Sequence, residues 1–311
     1  MQQLPFRAMG CQMLAVVDTP GQPALERLNA APGWFAEWEQ HLSRFRPDSE
    51  LARLNGAGRP MRVSAVLWQV LQAALEAARQ SDGLVRPTLL GALEAAGYDR
   101  SFEALAPGAA RPAPAPADWR AIGLNQRART VALPAGARID LGGIAKGWAA
   151  DQAARRLAAA GPALVDAGGD IAVSGPMADG APWPIAVENP LAPGSQLGLL
   201  QLARGGVATS GRDYRRWQQD GRWQHHIIDP RTGRPAETDV LAATVVAPDC
   251  VTAEAAAKVA LIAGGAAGLA WIEARPKLAG LLVLEDGRVL RSHGMRELLV
   301  TEPASEPMLA H

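Results

Sequence analysis

The stretch Asp140-Leu-Gly-Gly-Ile-Ala-Lys-Gly-Trp-Ala-Ala-Asp151 constrains this chain more than any other. A β-prone approach, Thr130-Val-Ala-Leu133 and then Ile139, leads into it, and a helical run from Trp148 to Ala159 leads out. Between them lie three glycines, Gly142, Gly143 and Gly147, and one lysine, Lys146. Glycine lets backbone come close to a ligand, and the first amides of a helix favour negative charge. A lysine beside such amides suits a phosphate, and Asp140 can accept a hydrogen bond from a sugar or a ring. The pattern is neither a Walker A loop nor a GxGxxG turn. It fits two descriptions, a phosphate-handling turn and a tight strand-to-helix connection.

The chain has 311 residues, 48% of them hydrophobic. That supports one domain over residues 1–300, built as one body or two intimate subdomains, with a tail over 301–311. Lys+Arg and Asp+Glu both number 31, so neither a nucleic-acid footprint nor a polybasic membrane surface is present. Two cysteines, Cys11 and Cys250, make neither a disulfide framework nor a metal knuckle. No apolar run approaches the roughly 20 residues of a membrane-spanning helix. The start, Met1-Gln-Gln-Leu-Pro-Phe-Arg-Ala-Met9, lacks a basic stretch followed by an apolar one. The chain as given is therefore expected in the cytoplasm, or in the periplasm if a leader has been removed.

Residues 11–18 read as a strand, and 23–44 as a helix interrupted near Pro32-Gly33, with Trp34, Phe35 and Trp38 on its apolar side. Ser49 caps a short helix, and Ser64 caps an amphipathic helix over 64–80 that stops at Ser81-Asp82-Gly83. A further helix ends at Gly97-Tyr98, and the Pro- and Ala-rich segment 106–118 reads as a surface loop. Residues 163–174 read as two strands joined at Gly168-Gly169. Short strands follow at 184–188, 198–203, 206–209, 224–228 and 240–247, then a helix over 252–264 with Thr252 as its cap. Residues 279–300 read as a hairpin around Glu285-Asp-Gly287. His225 and His226 do not make a zinc site, since no third ligand has suitable spacing. Hairpin-like strands dominate after residue 165, which favours α+β with largely antiparallel sheet.

Several blocks then fall into one order. They are Met9-Gly10, Leu42-Ser43 with Ser49-Glu50-Leu51 and Asn55, Ser81-Asp-Gly83 with Pro87-Thr88, Asp140-Leu-Gly-Gly-Ile-Ala-Lys-Gly147, Ala167-Gly-Gly-Asp170, Ala208-Thr-Ser-Gly211 and His226-Ile-Ile-Asp-Pro-Arg-Thr-Gly233. In these the chain resembles the FAD:protein FMN transferases, the ApbE flavin-transferase family, over roughly residues 7–292. The resemblance implies a T-fold-like α+β fold with FAD in a cleft. It implies Mg²⁺-assisted cleavage of the FAD pyrophosphate, transfer of FMN to a Thr or Ser hydroxyl of an acceptor protein, and release of AMP. By position, Met9 and Phe45 would flank the flavin or adenine, and Leu84, Val85 and Arg86 would line the cleft. Asp140 would hydrogen-bond FAD, Lys146 would meet it near the phosphates, and Ile228 would contact it through backbone. The metal shell would use the Gly143 carbonyl and two residues four apart on the late helix.

That helix departs from the family pattern. Where Ala-Asp-x-x-x-Thr is expected, this chain has Ala253-Glu254-Ala-Ala-Ala-Lys258. Glutamate can still ligate Mg²⁺, but a lysine ammonium has donors only. Two readings stand: Lys258, oriented by Glu254, takes over part of the metal's electrostatic role, or the pair is an ordinary surface ion pair. Val85-Arg86 replaces a Phe-Asp pair, and Arg86 either meets a phosphate or projects into solvent. His226 is expected to bond backbone and shape its turn, and Asp229 to serve its own Asp-Pro turn. Thr209 and Ser210, read as lying in a Gly-bounded loop, are candidates to line the adenine or phosphate pocket. The alternative to a transferase is an FAD-binding carrier or assembly factor without turnover.

Overall fold

The computed structural model describes residues 1–300 apart from 107, 109, 110 and 113. The expected tail and part of the 106–118 loop lie outside the described residues. The main sheet has eight strands, β1 (Gln2–Ala8), β2 (Cys11–Val17), β3 (Ala163–Ala167), β4 (Asp170–Val173), β5 (Gly205–Gly211), β6 (Val240–Ala247), β7 (Ala279–Leu284) and β8 (Val289–Arg291). They lie side by side in chain order, and each neighbouring pair is antiparallel. The long insertions between strands carry the helices: α1 (Gln22–Leu42), α2 (Glu50–Gly56), α3 (Ala65–Gln80), α4 (Leu90–Ala95), α5 (Ala145–Leu157), α6 (Cys250–Ala263), α7 (Gly265–Glu273) and α8 (His293–Leu298). This is the expected α+β, largely antiparallel architecture.

Side-chain alternation sorts the sheet's two faces. On β2, Met13, Ala15 and Val17 join the core beneath α1, α3 and α5, while Val16 faces the other way. Leu164, Val173, Val207, Leu281 and Val283 share that second face with Trp183, Ile185, Leu200 and Leu202 of a small sheet over 183–188, 196–202 and 299–300. The site described below belongs to the helical side.

Where the sequence reading departs from the fold, the reasons are local. α1 runs unbroken through Pro32. Its stripe Leu28, Phe35, Trp38 and Leu42 is buried, with edge-to-face contacts at 5.3 Å to Phe6, 5.1 Å within the stripe and 5.5 Å to Trp148. Burying such side chains at roughly 1.5–3 kcal/mol each offsets the ~3 kcal/mol of a mid-helix proline. α5 starts at Ala145 rather than Trp148, so Lys146 and Gly147 sit in its first turn. α6 starts at Cys250, and its cap is Asp249, whose side chain accepts from the Thr252 amide at 2.8 Å. Thr209 and Ser210 lie on β5 rather than in a loop, and the two hydroxyls of Thr209 and Thr244 pair across the strands at 2.9 Å. Strand β1, α7 and α8 complete the fold beyond the elements expected. No described helix is long and apolar enough to cross a membrane.

Candidate active site

The quoted blocks act first as clasps. Asn55 pairs with the backbone of Ile139 in both directions, donating to its carbonyl at 2.9 Å and accepting from its amide at 2.8 Å. The Asp140 amide donates to Pro87 O at 2.9 Å. Glu50 accepts from the Ser64 amide at 2.6 Å and lies 2.8 Å from His41 Nδ1. Ser49 and Ser64 cap α2 and α3 as expected. These bonds fix the glycine turn against the 84–89 segment. The Ser81 hydroxyl adds to this by donating to Ala77 O at 2.7 Å and accepting from the Val85 amide at 3.0 Å.

The clasped segments enclose a cavity of about 290 Å³. Met9, Phe45, Leu84, Val85 and Arg86 line it, as do Asp140, Gly143, Lys146, Ile228 and Lys258. Glu254, by contrast, stands behind the wall, 1% exposed. Met9 reaches the cavity from a two-residue turn joining β1 and β2, with φ of 49° at Met9 and 68° at Gly10. Positive φ at both positions is the hairpin turn that suits twisted strands. A methionine there costs about 1–2 kcal/mol, and such strain gathers at functional sites.

Sequence reasoning missed what holds Asp140. Arg44 Nε lies 2.9 Å from Asp140 Oδ2, with its guanidinium 4.1 Å from the Phe45 ring centroid and 4.6 Å from that of Tyr98. Phe45 and Tyr98 are tilted against each other at 5.6 Å, and Tyr98 rests on Trp217 at 5.3 Å. The other Asp140 oxygen accepts from the Gly142 amide at 3.0 Å. Asp140 is thus a fixed acceptor at the cavity edge, and the Arg44 guanidinium rests against two adjoining rings.

Arg86 neither reaches a phosphate site freely nor projects into solvent. Its Nη2 donates to Pro230 O at 2.9 Å and ties the 84–89 segment to the Asp229 turn. Asp229 accepts from the Arg231 amide at 2.8 Å, the turn role expected of it. Of the two histidines, His225 does the backbone work: Nε2 lies 3.1 Å from Ala236 O and Nδ1 accepts from the Ile227 amide at 3.3 Å. His226 lines the cavity instead, and its buried Nδ1 has no hydrogen-bond partner. Burial, with help from Arg215 and Lys258, pushes its pKa well below the ordinary value. Neither Thr209 nor Ser210 is among the lining residues.

Four charges stand beside the glycine turn. Lys146 is ion-paired with Asp170, and its Nζ lies 3.9 Å from Glu254 Oε1. Lys258 Nζ lies 3.1 Å from the same Oε1 and 3.4 Å from Glu254 O. Glu254 Oε2 accepts from the Gly147 amide at 2.9 Å. Burial opposes the charge on Lys146, but the Asp170 and Glu254 carboxylates outweigh it and raise the pKa. Burial also works against ionised Glu254, and the two ammoniums overcome it, so its pKa is lowered. The Glu254–Lys258 pair is therefore not an ordinary surface pair.

This arrangement does not fit a divalent cation. Both oxygens of Glu254 are engaged by N–H donors, and two ammoniums face Oε1. Each would oppose a dication by about 8 kcal/mol at 4 Å and an effective dielectric near 20. The Lys258 stem fills the space beside Gly143, where an added Cβ would meet Lys258 Cε at 3.1 Å. Among the described residues, no cluster of three or more His, Cys, Asp or Glu side chains is placed to hold a metal.

Comparison with known proteins agrees with the geometry. The protein named FAD:protein FMN transferase in Treponema pallidum is 34% identical over 278 residues, covering 83% of this chain and 76% of that protein. Its namesake in Vibrio cholerae is 33% identical, covering 76% of this chain and 73% of that protein. The crystal structure of the ApbE protein from Thermotoga maritima superposes with a TM-score of 0.87 at 27% identity, over 96% of this chain and 99% of that one. The flavin transferase ApbE from Vibrio cholerae does so with a TM-score of 0.78 at 27% identity, over 96% and 99%. Residues 9–282 match the ApbE family, and the chain belongs to that family.

Proposed function

We propose that this protein is an FAD:protein FMN transferase, a transferase that cleaves FAD and attaches FMN through a phosphoester to a Thr or Ser of an acceptor protein. The observation that carries the reading is convergence: side chains from the β1–β2 turn, the end of α1, the 84–89 segment, the glycine turn, the 226–228 segment and α6 line one cavity. The cavity has aromatic and apolar lining from Phe45, Tyr98, Leu84 and Val85, and polar lining from two ammoniums and a glycine turn. A flavin or adenine ring suits the first and a pyrophosphate the second. Asp140, held by Arg44, accepts from a ring or ribose donor, and Ile228 is among the residues lining the same cavity.

In the transfer, the acceptor oxygen forms a bond to the flavin-side phosphorus, and the bond from that phosphorus to the bridging oxygen breaks. The bridging oxygen leaves with AMP, and the hydroxyl proton passes to a base. His226 suits that task because its Nδ1 is free and its ring is neutral. Burial is the larger cause of its depressed basicity; the pyrophosphate's negative charge offsets the smaller share that comes from Arg215, Lys258 and Lys146.

The test is intact-mass measurement of a candidate acceptor domain after incubation with the protein and FAD. A gain equal to one FMN, lost when the acceptor hydroxyl is replaced, is the expected result. An unmodified acceptor beside tightly bound FAD would favour the flavin-carrier alternative.

A further inference from the structure

We propose that the ammonium pair of Lys146 and Lys258 occupies the place of a divalent cation in this chain, so that it binds and cleaves FAD without one. The inference rests on the reading of the cavity as an FMN-transfer site. Its basis is the arrangement around Glu254.

The carboxylates of Glu254 and Asp170 are 1% and 2% exposed. Buried carboxylates need compensating charge. Here each has its compensation from within the chain: Lys146 serves Asp170, and Lys258 serves Glu254. The four formal charges sum to zero, so no excess negative charge is left to draw a dication into the wall. The Glu254 oxygens have no free face toward the cavity. Oε2 accepts from the first turn of α5, and Oε1 accepts from Lys258 with Lys146 close by. A threonine at position 258 would remove one of the two positive charges and free Oε1.

The ammoniums also face the right way. Both lysines line the cavity, with side chains 18% and 16% exposed, so they are open on one side and anchored on the other. Lys258 spends its best bond on Glu254 Oε1, and its second, to Glu254 O at 3.4 Å, is weak. A phosphate oxygen replaces that weak contact without stripping Glu254 of its partner. During transfer the AMP phosphate gains one negative charge as the bridging oxygen leaves. Two anchored ammoniums beside it supply the charge stabilisation that phosphoryl transfer requires. Nothing is oxidised or reduced, and the proton lost by the acceptor hydroxyl balances the extra charge on AMP.

The experiment measures FAD affinity and FMN transfer separately, each in EDTA and in Mg²⁺, and adds calorimetric titration of Mg²⁺ into the FAD-bound protein. Expected are equal FAD affinity and equal transfer rates in both buffers, with no saturable Mg²⁺ heat. Lys258→Arg keeps EDTA-insensitive binding. Lys258→Thr, checked for native circular dichroism, loses roughly tenfold or more in FAD affinity in EDTA and regains part of it in Mg²⁺. Loss of wild-type FAD affinity in EDTA, restored by Mg²⁺, overturns the proposal, as does transfer that only Mg²⁺ supports. EDTA-insensitive FAD binding without any acceptor modification would instead sink the transferase reading and with it the cleavage half of this proposal, leaving the ammonium pair as a pyrophosphate-binding site only.

Discussion

Glu254 on α6 and Gly147 on α5 are joined by a 2.9 Å hydrogen bond, with the Gly147 amide donating to the carboxylate. The reverse bond exists too. Asp151 on α5 accepts from the Cys250 and Val251 amides of α6 at 3.0 and 3.1 Å. Each helix thus supplies a carboxylate to first-turn amides of the other that have no partner within their own helix. The reciprocal clasp sets Lys146 and Lys258 side by side. It also leaves no room at Gly147, where a Cβ would meet Cys250 O at 2.8 Å and Glu254 Oε2 at 3.0 Å. Gly147→Ala should destabilise the fold by about 1–3 kcal/mol through overpacking, read from urea unfolding. An unchanged midpoint would mean that the helices are not tightly seated.

Arg44 should prove as important as Asp140. Arg44→Lys keeps the charge but gives up the planar guanidinium's contacts with the Phe45 and Tyr98 rings. FAD affinity should fall roughly tenfold, with a smaller loss in the variant Asp140→Asn, which keeps an acceptor oxygen. Equal affinities for wild type and Arg44→Lys would show that Asp140 needs no guanidinium to hold it.

Met9 should display a trade between stability and binding. Met9→Gly relieves a positive φ, so its unfolding free energy should stay level or rise by up to about 1 kcal/mol. The same change removes an apolar lining side chain and should weaken FAD binding roughly tenfold. Large destabilisation would contradict the strain argument.

Much of this was legible in the sequence because capping and turn chemistry are local. Ser49 and Ser64 announce α2 and α3, and the double glycine announces the β3–β4 turn. The late-helix pair was legible as a departure, but not its burial, since i,i+4 spacing is the same on a wet face and a dry one. Arg44 was not legible: it precedes Phe45 in a charged run, and its partner lies nearly a hundred positions away. Its one signal was that a half-buried Asp140 would need a counter-charge. Thr252 looked like a cap because the true cap, Asp249, follows a proline and reads as loop. The strand β1 did carry a signal in the alternation of Leu4, Phe6 and Ala8, masked by Pro5.

Acid sensitivity should trace in part to His225. Burial lowers its pKa from 6.5 to about 4. The unfolded chain therefore takes up the proton first as pH falls. Stability present above about pH 6.5 is lost toward pH 4, by about 3 kcal/mol at full extent. Asp151 and Asp170, raised by burial to about 6, act in the opposite sense between about pH 4 and 6. The readout is therefore a difference. On going from about pH 7 to pH 5, His225→Gln should lose less urea resistance than wild type. Equal losses would assign the acid limb elsewhere.

The central claim is that the cavity beneath Phe45 and the glycine turn holds FAD, and titration of FAD against the purified protein tests it most directly. Saturable quenching of flavin fluorescence at micromolar protein, with one FAD per chain and weakened by Phe45→Ala, is the predicted result. Absence of quenching by protein with native circular dichroism would contradict the account.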